Sequence, residues 1–469
     1  MPALPRATPD EQGVDAAAIA GLLDALAAGG VELHSLMLMR HGTVVAEAHW
    51  APYEEEQVNL LYSLSKSFVS AAAGIAVSEK RFRYDDRVVD LVPELVPQDI
   101  GEHWREVTVR DCLRMATGHL DDPVLYAEAD WLAAFLRLPP DWAPGSVFTY
   151  NQFATHTVAR LVEASAGERL VDYLRPRLFE PLGVGHAGWF TDGHGHDAGF
   201  SGLHVSTDAI ARFGQLLLQR GEWDGRQLVP AEWVDEATSI QMPNDLAHRR
   251  PGVDADELPV DWAQGYGYQF WMCRNGFRGD GAYGQFCLVL PEQDAVLALT
   301  SETTDMQRVL DAVWQHLLPG LSGDAGAGSA DADAALATRL AEVAIPLPPN
   351  DRSGDGFEPV ARTSGDAAAS VDSVALRREG TGWVADFRHG DRVRQLPIGD
   401  GQWVAGDWTD GVPFRSAGGF VDGRFRAQLR MIQTPHTIEL SVDAAAGTAC
   451  LQWSQPPLHG PEPSFHRLR

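Results

Sequence analysis

Strand-like segments stand at the two ends of a long helical stretch in this chain, and that order restricts the fold more than any other feature. HSLMLMRHGTVVAEAHW (34 to 50) reads as two strands joined by a His41-Gly42 turn, a hairpin. The next strand-like runs are YGYQFWMCR (266 to 274), GQFCLVLP (284 to 291) and AVLALTS (295 to 301), each pair joined by a short turn. The text between is mainly helical, broken at the Pro-rich points 139 to 140 and 144 to 145. Helices are predicted at 14 to 29, with Ile19, Leu22, Leu23 and Leu26 at helical spacing, and from Ser63 to Glu79. Others are predicted at 206 to 220, 230 to 238 and 304 to 318. Neither the hairpin nor the later strands can bury a face alone. The expectation is therefore an α+β fold, an antiparallel sheet flanked by helices with an inserted helical region.

At 469 residues the chain exceeds one ordinary domain. Beyond about residue 370 the pattern changes to short alternating runs such as VALRREGTGWVADFRHG, RFRAQLRMI and HTIELSV, the mark of a small all-β module. GLSGDAGAGSADADAA (320 to 335) and PLPPNDRSGDG (346 to 356) have linker composition. The expected division is 1–320, a linker region 321–356, and a small β-rich domain 357–469.

Composition excludes some partners. A formal charge of −28 opposes nucleic acid and anionic membrane surfaces, which need clustered Lys and Arg. The N-terminus lacks a basic segment followed by an apolar one, and no run of about 18 apolar residues occurs. Cys112, Cys273, Cys287 and Cys450 show no paired spacing, so a reduced, cytoplasmic protein is expected. Oligomeric state is not readable. Of 37 basic residues only Lys66 and Lys80 are lysines, so a lysine here is a marked choice.

The chemistry points to LLYSLSKSFVSAAAGIAVSEK. Ser63 and Lys66 are three apart and share a helix face, roughly 5–6 Å apart at Cβ. A serine in the first turn sits where backbone N–H groups point outward, as an oxyanion formed by attack on a carbonyl requires. Desolvation lets a buried lysine go neutral near pH 7, whereas arginine keeps its proton.

YSLSKSF resembles the S-x-x-K motif of class C β-lactamases, DD-peptidases and related esterases. VTVRDCLRMATGHL (107 to 120), PGSVFTYNQFATHTVARLVEASAG (144 to 167) and GFSGLHVSTDAIARFGQLLLQRG (199 to 221) are similar, in order, to that family's later segments. The resemblance covers about residues 1 to 320 and implies the β-lactamase/transpeptidase-like fold. It also implies a covalent acyl-enzyme on Ser63, with Lys66 beside it and Tyr150 as general base if the neighbouring charge lowers its pKa. The family's Y-x-N falls on Tyr150-Asn151-Gln152, with Gln152 in place of the second amide. Either Gln152 or Asn151 would then face the substrate carbonyl.

The family's third motif falls on Gly279-Asp280-Gly281, without its lysine or histidine. Asp280 would repel a substrate carboxylate, which favours the esterase and nylon-oligomer hydrolase branch. The N–H of Ala282, after Gly281, would complete the oxyanion hole with that of Ser63. The implied substrate is a small ester or amide. D-peptidase or β-lactam hydrolase activity, and a catalytically silent binding protein, are the alternatives. No cofactor is implied, and His194-Gly195-His196-Asp197 lacks a third ligand at a telling spacing, so no metal is expected.

Overall fold

In the computed structural model, which describes residues 3–244, 259–321, 329–360, 362–367, 371–408 and 411–459, both ends of the helical stretch meet in one sheet. Strands β1 (Glu32–Arg40) and β2 (Thr43–His49) form the predicted hairpin. They join β3 (Trp271–Met272), β4 (Phe277–Gly281), β5 (Gln285–Leu290) and β6 (Ala295–Glu302) in the order β2-β1-β6-β5-β4-β3, antiparallel throughout. The first strand thus pairs with the last.

Period-2 alternation gives this sheet two dry faces. Leu36, Leu38, Leu288, Leu297 and Leu299 turn to one side, against helix α1 (Ala16–Ala28) and its Ile19, Leu22, Leu23 and Leu26. Met37, Met39, Cys287, Val296 and Ala298 turn to the other, into the core of the helical region. That region is organised around α2 (Ser65–Ser78), which is buried on all sides. A Cβ on Gly74 would come within 2.6 Å of the Trp233 ring, so the glycine allows that close packing. Around α2 lie α3 (Gln152–Ala166) and α4 (Thr207–Leu218). The fold is the expected α+β arrangement of sheet, flanking helices and helical insertion.

Two segments differ from their sequence reading. Of 266 to 274, read as a strand, only Trp271–Met272 pairs as one. Gln269 has φ +67, which turns the chain. Its side chain is tied to Leu113 O at 2.7 Å and to Thr155 Oγ1 at 2.6 Å. The alternating tyrosines are core residues on a folded loop, and the true strand comes later, at the glycine-rich Phe277–Gly281. Within the stretch of linker composition, Ala330–Ala341 is a helix, α5, capped by Ser329. Its Arg339 bonds Asp24 of α1 at 2.7 Å. Alanine, which suggested low complexity, is also the best helix former.

Residues 356 to 453 form a ten-stranded, mostly antiparallel, barrel-like sheet with its own core. It rests against the first unit. Leu60 N donates to Gln433 O at 2.8 Å, and Arg430 forks onto Glu32 at 2.5 and 3.1 Å. Among the described residues no helix is long and apolar enough to cross a membrane.

Candidate active site

Between Val58 and Ala76 every residue is buried except Ser63. It lies in a single 3-10 turn, Tyr62–Leu64, that leads into α2, so the α-helix begins two residues later than predicted. One turn on, Lys66 is only 1% exposed, while Lys80, the other lysine, is exposed. Lys66 Nζ donates to Gln152 Oε1 at 2.6 Å and to Phe200 O at 2.9 Å, and lies 3.0 Å from Ser63 Oγ. Two acceptors that cannot donate thus fix two N–H bonds. A neutral amine held in this way presents its lone pair to Ser63. Burial pushes Lys66 down to about 7, against the opposing charges of Asp122 and Asp280.

Tyr150 lies beside the pair, its ring centre 4.8 Å from Lys66 Nζ and stacked on Trp271 at 5.2 Å. Its hydroxyl meets Ser63. Burial, followed by the charge of Asp280, drives this phenol well above its ordinary value, and the contact with Ser63 only partly opposes them. The expected downward shift is therefore corrected. Lys66 is too nearly neutral, and Asp280 too close, for the phenol to ionise first. Tyr150 stays a proton donor.

The two amides that follow have separate duties. Asn151 is fully buried and caps α3, its Oδ1 accepting from Phe153 N at 2.8 Å and Ala154 N at 3.1 Å. It does not face the cleft, so its reading as a substrate contact is corrected to a helix cap. Gln152, partly exposed, holds Lys66. Its own N–H donates at 2.8 Å to Asp122, a residue that sequence reasoning missed. The acidic pair before Pro123 is its only local signal.

On the opposite wall β4 carries Arg278 and Asp280 on one face. Arg278 Nε donates to Asp280 Oδ2 at 2.8 Å, and the guanidinium lies 4.2 Å from the Trp262 ring centre. Both are buried. Asp280 is therefore a compensated charge rather than a bare one, which tempers its expected repulsion of carboxylates. The two glycines bring this strand onto the nucleophile turn. A Cβ on Gly279 would fall 2.4 Å from Ser67 Oγ, and one on Gly281 would fall 1.9 Å from Leu61 O. Ala282, the first residue past the strand, is partly exposed while Phe277 to Gly281 and Tyr283 to Leu290 are buried.

Ser63 and Ala282 thus open into the same cleft. Its volume is about 450 Å³, and Tyr150, Trp262, Trp271 and Met306 supply much of its wall. A larger hollow of about 850 Å³ lies between the N-terminal segment and α5. It holds none of these groups, so chemistry rather than size locates the site. Beside Phe200, whose carbonyl holds Lys66, lies His459, a second residue the sequence did not reveal. Its Nε2 is 2.9 Å from Ser201 Oγ, and its ring packs 5.4 Å from Tyr126 and 5.8 Å from Phe200.

In the loop of His194 to Asp197, His196 pairs with Glu163 at 2.8 Å and Asp197 accepts from Val171 N at 2.9 Å. Among the described residues, Glu32, His34 and Glu302 bring three ligand atoms within 4.8 Å of one another. Arg430 already forks onto Glu32 there, and a guanidinium in that place disfavours a cation.

A family profile described as Beta-lactamase matches residues 16–318, and the chain belongs to that family. A 6-aminohexanoate-dimer hydrolase of Paenarthrobacter ureafaciens is 24% identical over 297 residues, 58% of this chain and 73% of that protein. Penicillin-binding protein 4 of Amycolatopsis lactamdurans is 29% identical over 182 residues, 37% and 44% of the two chains. Among solved structures, a penicillin-binding protein homologue from Caulobacter crescentus superposes with TM-score 0.51 at 18% identity, over 67% of this chain and 100% of its own. EstCE1, described as a hydrolase with promiscuous acyltransferase activity, gives 0.51 at 16% identity, over 65% and 99%.

Proposed function

We propose that this protein is a serine hydrolase that cleaves small esters or amides through an acyl-enzyme on Ser63. The observation that carries this reading is the hydrogen bonding of Lys66. Two of its N–H bonds are engaged by Gln152 and Phe200, its pKa is near 7, and Ser63 Oγ lies 3.0 Å away. Lys66 takes the serine proton as Oγ bonds to the substrate carbonyl carbon. The resulting oxyanion is held by the N–H groups of Ser63 and Ala282. As the intermediate collapses, the bond to the leaving oxygen or nitrogen breaks. That atom takes a proton from the Tyr150 hydroxyl, which Lys66 re-protonates. Water then loses a proton to Lys66, bonds to the acyl carbon and displaces Oγ, which regains its hydrogen. The names of the similar proteins, a 6-aminohexanoate-dimer hydrolase and a hydrolase with promiscuous acyltransferase activity, support this class.

The apolar walls of Trp262, Trp271 and Met306 suit an uncharged substituent. No lysine or histidine stands at Gly279 to Gly281 to hold a carboxylate, and this favours simple esters and amides over β-lactams. Hydrolysis of a short-chain p-nitrophenyl ester by the wild type and Ser63→Ala, with intact-mass detection of the acyl adduct, tests the reading. Turnover and an adduct in the wild type alone are expected. Equal, background-level rates with no adduct would leave a silent binding protein as the better account.

A further inference from the structure

We infer that the C-terminal sheet is a working part of the active site, and that its His436 is a positioning residue holding, through Tyr62, the turn that carries Ser63. This rests on the acyl-enzyme reading above and deepens it by naming what sets the oxyanion hole.

The two amides assigned to the oxyanion each adjoin a strained tyrosine. Tyr62 precedes Ser63 with φ +48, and Tyr283 follows Ala282 with φ +65. Left-handed backbone at bulky residues persists only where the surroundings enforce it. The two rings meet edge to face at 5.3 Å. His436 packs edge-on against both, at 5.8 Å from Tyr62 and 4.9 Å from Tyr283.

Hydrogen bonds complete the clamp. The carbonyl of Gln455, 2.8 Å from His436 Nδ1, can only accept, so Nδ1 carries the proton. Nε2 is then an acceptor and receives the Tyr62 hydroxyl. The Tyr283 hydroxyl donates to Pro456 O on the same C-terminal segment. Burial keeps His436 far below its ordinary value, at about 3, so the ring stays neutral and this tautomer persists. Both strained residues are thus tethered by their hydroxyls to the second unit. Without the tether each turn can relax, and an amide displaced by a fraction of an ångström loses its aim at the oxyanion.

The test uses the full chain carrying Tyr62→Phe, His436→Phe and the double substitution. Each single variant is expected to lower kcat for p-nitrophenyl acetate by about 10- to 100-fold, with KM within about threefold. Affinity for a phenylboronic acid, which mimics the tetrahedral adduct, should fall in parallel. The losses should be less than multiplicative in the double variant, because both substitutions break the Tyr62–His436 bond, although Tyr62→Phe also removes a contact with the Leu458 backbone and His436→Phe the bond to Gln455. Unchanged kcat in both singles, multiplicative losses in the double, or boronate affinity that stays at the wild-type level would each overturn the inference. Fluorophosphonate labelling of wild-type Ser63 separates the two readings. If labelling succeeds while the singles behave as wild type, only the positioning role fails; if labelling fails, the acyl-enzyme reading fails and takes this one with it.

Discussion

Lys66 bears the cost of burial and does so usefully. A protonated Lys66 would satisfy all three acceptors but leave nothing to receive the serine proton. Because its value is near 7 rather than the ordinary 10.5, kcat/KM should rise with pH through about 7 and level off above it, as the amine loses its proton. Rates that stay flat from pH 5.5 to 8.5 would contradict that assignment. Lys66→Arg should reduce turnover at least 10³-fold, since arginine cannot shed its proton in this range; a residual rate above a few per cent would exclude the lysine as base. The Ser63–Lys66 pair was legible in the sequence because helical periodicity is local and the chain is poor in lysine. Asp122, Arg278 as partner of Asp280, and His459 were not legible. Asp122 and His459 reach the site through tertiary approach, which no short spacing encodes, whereas Arg278 stands two residues from Asp280 on a strand whose RGDG sequence does not read as one. Asn151 shows the converse, since a residue adjacent to two functional ones serves as a helix cap, and only the direction of its side chain reveals it.

Among the elements, the hairpin and the last two strands of the sheet were legible as short apolar runs between turns, because each buries one face on α1 and the other on the helical insertion. The aromatic run 266 to 274 mimicked that pattern while folding as a loop, since a positive φ at Gln269 costs little beside the burial of four rings. β4 was the least legible strand and the one that matters most. RGDG lacks the β-branched and aromatic residues of a strand, yet its glycines let the backbone lie against Leu61 and Ser67. Gly281→Ala, whose methyl would meet the Leu61 carbonyl at 1.9 Å, should therefore push β4 off the nucleophile turn. The expected result is a loss of about 1–3 kcal/mol in stability and at least a tenfold fall in ester turnover. Denaturant melts and steady-state kinetics on the same preparation check both, and a fully active, equally stable Gly281→Ala would show that the strand has slack.

At the scale of the whole molecule the two units are joined through a buried acid as well as through His436. Glu302, at the end of β6, accepts from Thr437 Oγ1 at 3.1 Å and from Ser454 Oγ, both on the C-terminal sheet. Close by, Glu32 is ionised. Burial would raise it, but His34 and Arg430 outweigh that and bring it down to about 2. Burial first, and then the charge of Glu32, push Glu302 up from 4.5 to about 8 despite the help of Ser454, Arg430 and Thr437. Below pH 4.5 folded and unfolded chains both hold this proton, and the group has no effect on stability. Between 4.5 and 8 the unfolded chain releases it while the folded chain keeps it, so stability falls as pH rises, by about 5 kcal/mol across the window. Glu302→Gln removes the titration and keeps the shape. It should melt at nearly the wild-type temperature at pH 5 and several degrees higher at pH 8, with the gain growing steadily between. Thermal melts of both proteins across that range decide the matter: parallel curves would mean that Glu302 is already ionised in the fold and that the junction tolerates its charge.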